Sequence, residues 1–209
     1  MSFDFLPAND LSPRAHKTRI IHDLLTPMRD GVKLAMDLIR PVEEGAYPVV
    51  LVRTPYNKVG SRTPYLQELA QRGYIVAIQD TRGRDNSDGV FFPYRDDRAD
   101  GFDTVEWVNE QAWCDGNIGM WGGSYVGQTQ WFAAADAPKG LKAIVPIVSP
   151  PDAFFNEPVC NGCFSAPDGR VDDLDGPPLL RNRRTGHSLR RDAGFLPRHA
   201  RLHPARDRR

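Results

Sequence analysis

GNIGMWGGSYVGQTQWFAAA, residues 116–135, sets one serine, Ser124, between Gly122-Gly123 and Gly127 directly after an apolar run. NIGMW is short and continuous enough for a buried strand, and residues 125–135 carry helical spacing. A serine at such a corner is either part of a tight turn or a nucleophile. Glycine neighbours alone favour the turn. A strand before and a helix after favour the nucleophile, because that corner forces unusual backbone angles and needs small neighbours for close approach. The hydroxyl would then project above the sheet. The helix N-terminus would present its N–H groups to a developing oxyanion, the Tyr125 amide first. The spacing is G-x-S-x-x-G, with Val126 where a second glycine is usual.

The text on either side supplies a sheet for that corner. TRIIHDLLTPMRDGVKLAMDLIRP alternates around Arg29-Asp30-Gly31 and reads as a β-hairpin ending at Pro41. YPVVLVRTPY holds a continuous apolar run at 49–52, as a strand buried on both faces would. Thr63-Pro64 opens a helix that Gly73 stops, and YIVAIQD is a second buried strand. Ala99, Phe102, Val105 and Val108 recur at helical spacing, and LKAIVPIVS is a fourth buried strand after NIGMW. A hairpin followed by β-α-β-α-β-α-β predicts an α/β fold, a mostly parallel sheet with helices on both faces. Ligands bind beyond the carboxyl ends of such strands, which is where Ser124 falls. A second oxyanion donor belongs in the loop RTPYNKVGSR, where the Tyr56 phenol is the candidate; a tyrosine simply packing its ring on a proline turn is the alternative.

Composition narrows the class. With 40% hydrophobic and 26% charged residues, the 209-residue chain can bury a core. No apolar run reaches membrane-spanning length and the N-terminus lacks a secretory pattern, so a cytoplasmic location is expected. Three cysteines fit a reducing compartment, and the CNGC at 160–163 lacks the second pair that a zinc site needs. The Asp-rich RGRDNSDG does not match a calcium loop and reads as a solvated loop, while Trp107, Trp113, Trp121 and Trp131 read as core. No metal or cofactor is implied.

MRDGVKLAMDLIRP, LVRTPYNK, QDTRGRDNSDGVF, EQAWCDGNIGMWGGSYVGQTQW and LKAIVPIVSP together resemble the cocaine-esterase/X-Pro dipeptidyl-peptidase family, and within it the cocaine-esterase branch. The resemblance covers residues 18–155. It implies an α/β-hydrolase fold with a helical cap and a C-terminal β-sandwich, and ester or amide cleavage by a Ser-His-Asp mechanism. It implies Ser124 as nucleophile, with the Tyr56 hydroxyl and the Tyr125 backbone N–H forming the oxyanion hole. Asp80, Arg82 and Gly83 match a loop taken as structural. The implied substrate is a small ester, amide or peptide.

The triad partners should follow the serine, acid before histidine. Only His187, His199 and His203 do so, all in an Arg-rich tail, and Asp152 reads as a loop residue. No triad Asp or His is therefore identified. Residues 164–209 carry 11 Arg, no Lys and 6 Asp, a net +5, against a net −5 for residues 1–163. Such text cannot offset its ordering entropy and is expected to be disordered. It reads either as a basic nucleic-acid arm on a non-catalytic scaffold or, favoured, as frameshifted coding DNA, since the arginines follow no motif. The expected organisation is an extension at 1–17, an incomplete hydrolase portion at 18–160 and a tail at 161–209. Low or absent activity is expected of the chain.

Overall fold

The computed structural model describes residues 12–151 and two short strands at 159–160 and 163–164. β1 (Thr18–Pro27) and β2 (Lys33–Pro41) form the antiparallel hairpin, closed by Met28 N–H donating to Val32 O and Gly31 N–H to Met28 O. A bulge between Ile21 and Leu24 breaks the register, and there the Asp23 N–H donates to Asp37 Oδ1 (2.9 Å). Bulges re-aim side chains, and this one brings Asp23 to Lys58.

β3 (Tyr47–Thr54), β4 (Ile75–Asp80), β5 (Cys114–Gly123) and β6 (Leu141–Ile147) complete a six-stranded sheet ordered β1-β2-β4-β3-β5-β6. β4 runs antiparallel to β2, and β4, β3, β5 and β6 run parallel to one another. α1 (Pro64–Gln71) follows β3, α2 (Asp97–Asn109) follows β4 and α3 (Tyr125–Ala134) follows β5. This is the expected α/β architecture with its antiparallel hairpin. A separate two-residue ladder pairs β7 (Val159–Cys160) with β8 (Cys163–Phe164), Cys160 opposite Cys163.

Period-2 alternation in the parallel strands feeds two cores. Val49, Leu51, Ile75, Ala77, Ile118 and Met120 meet Val105 and Val108 of α2 and Ala133 of α3 on one face. Ile39, Val52, Val76 and Ile78 meet Leu66 and Ala70 of α1 on the other. β4, in the middle of the sheet, is buried along its whole length. β6 is less buried than expected of a fourth buried strand: among the described residues it is a sheet edge, with Val145 49% and Ile147 41% exposed. Its residues continue the apolar pattern, but among the described residues only β5 flanks it. The four tryptophans are half-buried rather than fully internal. Trp107 and Trp113 pack edge-on beside the first core, and Trp121 packs against Tyr65 beside the second.

Candidate active site

β3 is the strand where the sheet order turns. The chain leaves β3 for α1 on one face and leaves β5, its neighbour, for α3 on the other. Connections that depart to opposite faces open a crevice at the carboxyl ends of adjacent parallel strands. Leu51 pairs with Met120, and that register continued in step brings Thr54 level with Gly123. Ser124 and the loop bearing Tyr56 therefore flank one crevice.

Ser124 adopts φ 54°, ψ −129°, a conformation that few non-glycine residues hold. Three contacts over-determine it. Its N–H donates to Ile147 O (3.0 Å), and its carbonyl accepts from Gly127 N–H (2.8 Å) and Gln128 N–H (3.1 Å). Although Ser124 is the N-cap of α3, its hydroxyl makes no capping hydrogen bond, and the residue is exposed. The glycines have separate reasons. A Cβ on Gly122 would overlap Val126 Cγ1, and one on Gly127 would overlap the Ser149 side chain. The G-x-S-x-x-G spacing thus follows from packing: Val126 fills the gap beside Gly122, and the second close approach moves one residue along.

Tyr56 lies two residues beyond β3 with its side chain 59% exposed, and its N–H donates to Thr54 Oγ1 (3.0 Å). Its loop is held from below. Lys58, 2% exposed, donates its backbone N–H to Asp80 Oδ1 (2.6 Å). Its ammonium lies 3.0 Å from Asp23, 3.3 Å from Asp80 and 3.9 Å from Asp37. Burial pulls the Lys58 pKa down, but those carboxylates outweigh it and leave it above the ordinary lysine range. Burial pushes the Asp80 carboxyl up against hydrogen bonds from the Lys58 and Asn86 amides. Arg62 also bonds Asp37, and Arg84 Nε donates to Pro55 O (2.8 Å). Asp80 and Arg82 do the structural work expected of their loop, Arg82 through ion pairs to Asp30 and Asp100 (2.7 and 2.6 Å).

Tyr125 is the first residue of α3, so its N–H has no partner within the helix. Its phenol donates to Asp97 Oδ2 (2.6 Å) and accepts the Tyr94 N–H (3.0 Å). Burial, then the Asp97 charge, raises its pKa far above the usual tyrosine value, so it stays protonated. Sequence reasoning missed Arg53, Lys58 and Asp97. The one available signal was a cation closing an apolar run, Arg53 after VVLV.

His16 and His22 are the histidines among the described residues. His16 Nδ1 lies 3.2 Å from Glu43, and His22 Nδ1 lies 3.0 Å from Arg62 Nη2. His22 sits in β1, four strand spacings from β5, or roughly 19 Å at about 4.8 Å each. That separation removes it as a base for Ser124. Asp152, His187, His199, His203 and the expected tail lie outside the described residues.

With this geometry in hand, the match to known proteins is specific. The family model for X-Pro dipeptidyl-peptidase (S15 family) matches residues 30–209. The chain belongs to that family. The match runs past residue 155, where the family-like text was expected to fade, and so includes the Arg-rich tail. A cocaine esterase from Rhodococcus sp. (strain MB1 Bresler) is 49% identical over 140 residues, covering 65% of this chain and 24% of that protein. A CocE/NonD family hydrolase structure from Staphylococcus aureus superposes with a TM-score of 0.59 at 32% identity, covering 66% of this chain and 29% of that one. An α-amino acid ester hydrolase structure gives 0.57 at 27% identity, covering 74% and 29%. The α/β-hydrolase fold follows from these neighbours. The chain spans about a quarter of the length of the relatives it matches. No helix among the described residues is long and apolar enough to cross a membrane.

Proposed function

We propose that Ser124 is the nucleophile of a serine hydrolase acting on a small carboxylic ester, amide or peptide. The observation that carries this reading is the φ 54°, ψ −129° corner between β5 and α3, at an exposed serine whose hydroxyl makes no capping bond. Oγ attacks the acyl carbonyl, and the leaving group departs with a proton to give an acyl-enzyme that water then releases. The negative oxygen of each tetrahedral intermediate lies toward the Tyr125 N–H and the Tyr56 hydroxyl. Helix geometry supports the first donor, and the continued β3–β5 register supports the second. Nucleic acid, membrane, metal and cofactor have no part in this scheme.

Among the described residues no histidine lies at Ser124, and low activity is part of this proposal. The test is labelling with a fluorophosphonate, followed by peptide mass spectrometry. The expected adduct is on Ser124 and is lost in Ser124→Ala. Equal labelling in S124A would overturn the assignment, and an unlabelled, folded wild-type chain would overturn a reactive nucleophile in it.

A further inference from the structure

Tyr125 carries two groups with separate tasks. Its N–H opens α3 beside Ser124, while its phenol reaches α2 and the segment before it. The ring stacks on Tyr94 at 4.8 Å and 14°, and the hydroxyl donates to Asp97 (2.6 Å). Asp97, 5% exposed, begins α2 and faces Arg53 Nη2 at 3.6 Å. Arg53 is wholly buried and donates through Nη1 to Asp97 O (3.0 Å) and through Nε to Gln79 Oε1 (2.9 Å). Arg53 is also the next-to-last residue of β3, the strand that leads to Tyr56. One buried ion pair thus links the strand before one oxyanion donor to the residue carrying the other.

We propose that the Tyr125 phenol, held by Asp97 and Arg53, sets the direction of the Tyr125 N–H, which makes Asp97 and Arg53 positioning residues for the oxyanion. The proposal rests on the reading of Ser124 as nucleophile. Its physical basis is the strained corner. A residue at positive φ relaxes toward ordinary angles unless its surroundings hold it. The easiest relaxation here is unwinding the first turn of α3, where helix bonds are fewest. A tethered side chain on the first helical residue opposes that motion, because the phenol cannot follow the backbone without leaving Asp97. A small misdirection of a donor costs rate disproportionately.

Tyr125→Phe keeps the ring stack and touches no charge, and Asp97→Asn removes the acceptor's charge. Amide hydrogen exchange reads the first turn, through the Gly127 and Gln128 N–H groups that bond Ser124 O. Fluorophosphonate inactivation, separated into KI and kinact, reads the oxyanion. In Y125F the expected result is exchange at Gly127 and Gln128 faster by about tenfold with the β4 amides unchanged. A kinact lower by about tenfold with KI unchanged should accompany it. Unchanged exchange at Gly127 and Gln128, or equal acceleration throughout β4, would overturn the positioning role. An unlabelled wild type would instead overturn a reactive nucleophile in this chain, while exchange alone still decides whether the phenol holds the turn. If Asp97→Asn fails to fold around an uncompensated Arg53, Y125F carries the test.

Discussion

Val126 explains the unusual spacing of the serine corner and exposes it to a direct test. Its side chain is 8% exposed, joins the core under α1 and occupies the volume where a Cβ on Gly122 would go. Gly122 also holds φ +148°, outside the range that side-chain-bearing residues favour. Gly122→Ala should therefore lower unfolding free energy by about 3 kcal/mol in urea titrations, the upper end for overpacking. Adding Val126→Ala should return part of that loss, with a coupling of about 1 kcal/mol between the two sites. A wild-type midpoint for G122A would refute the packing account. The serine and its glycines were legible in the sequence because strand, corner and helix each leave a local pattern. Lys58 and Asp97 were not, because what defines them is burial among partners distant in sequence: Asp80 for one, Arg53 and Tyr125 for the other.

α3 shows the same division between pattern and context. Its text reads as an ordinary apolar helix, yet Gln128, Thr129 and Gln130 are at most 2% exposed. The face toward the sheet is partly amide and hydroxyl, satisfied by strand backbone. Gln130 is the central case. Its Oε1 accepts the Val145 N–H (2.8 Å), and its Nε2 faces the Gly122, Val126 and Val145 carbonyls at 3.1–3.3 Å. Pro146, the next residue of β6, has no N–H for the ladder, and the glutamine amide bridges β5 to β6 beside it. Gln130→Leu keeps the size but strands a buried donor and acceptor. It should cost about 3 kcal/mol, and the Val145 amide should lose exchange protection before those of β4 do. Equal loss in both strands would place the damage in the helix rather than at the bridge. No hydrophobic period could have revealed this bridge, since the partners of Gln130 lie on two different strands.

Among the described residues β1 and β6 are the two edge strands of the six-stranded sheet. The β1–β2 hairpin covers one side of β4. Among the described residues nothing flanks β6 beyond β5. Ala143, Val145 and Ile147 share a face with Gly119, Trp121 and Gly123 by register, and the core under α1 holds Ile39, Val52, Val76 and Ile78, with Trp121 beside it, but none of the three β6 residues. An apolar edge of this kind pairs with other chains. Val145→Lys should raise the concentration at which light scattering detects aggregates by about twofold or more. It should change unfolding free energy by no more than about 0.5 kcal/mol, since the side chain is half exposed. Unchanged aggregation would move the sticky surface elsewhere. The order of strands and helices was readable from alternating short apolar runs, and the hairpin from Asp30-Gly31. The exposure of Val145 and Ile147 in β6 was not, because an apolar run looks alike whether one neighbour or two flank it.

The crevice joins parts of the chain that are far apart in sequence. The β1–β2 hairpin needs only a short turn, whereas β3 meets β5 through pairs such as Val49 with Ile118. Long-range parallel pairing closes large loops and forms slowly. The Tyr56 loop and the Ser124 corner therefore come together late, after the hairpin and α1 have their local contacts. One of the three contacts that hold the Ser124 angles is its N–H on Ile147 O, so the corner is complete only with β6 docked. During refolding, the onset of Ser124 acylation should then act as a chemical timer for the docking of β6 on β5.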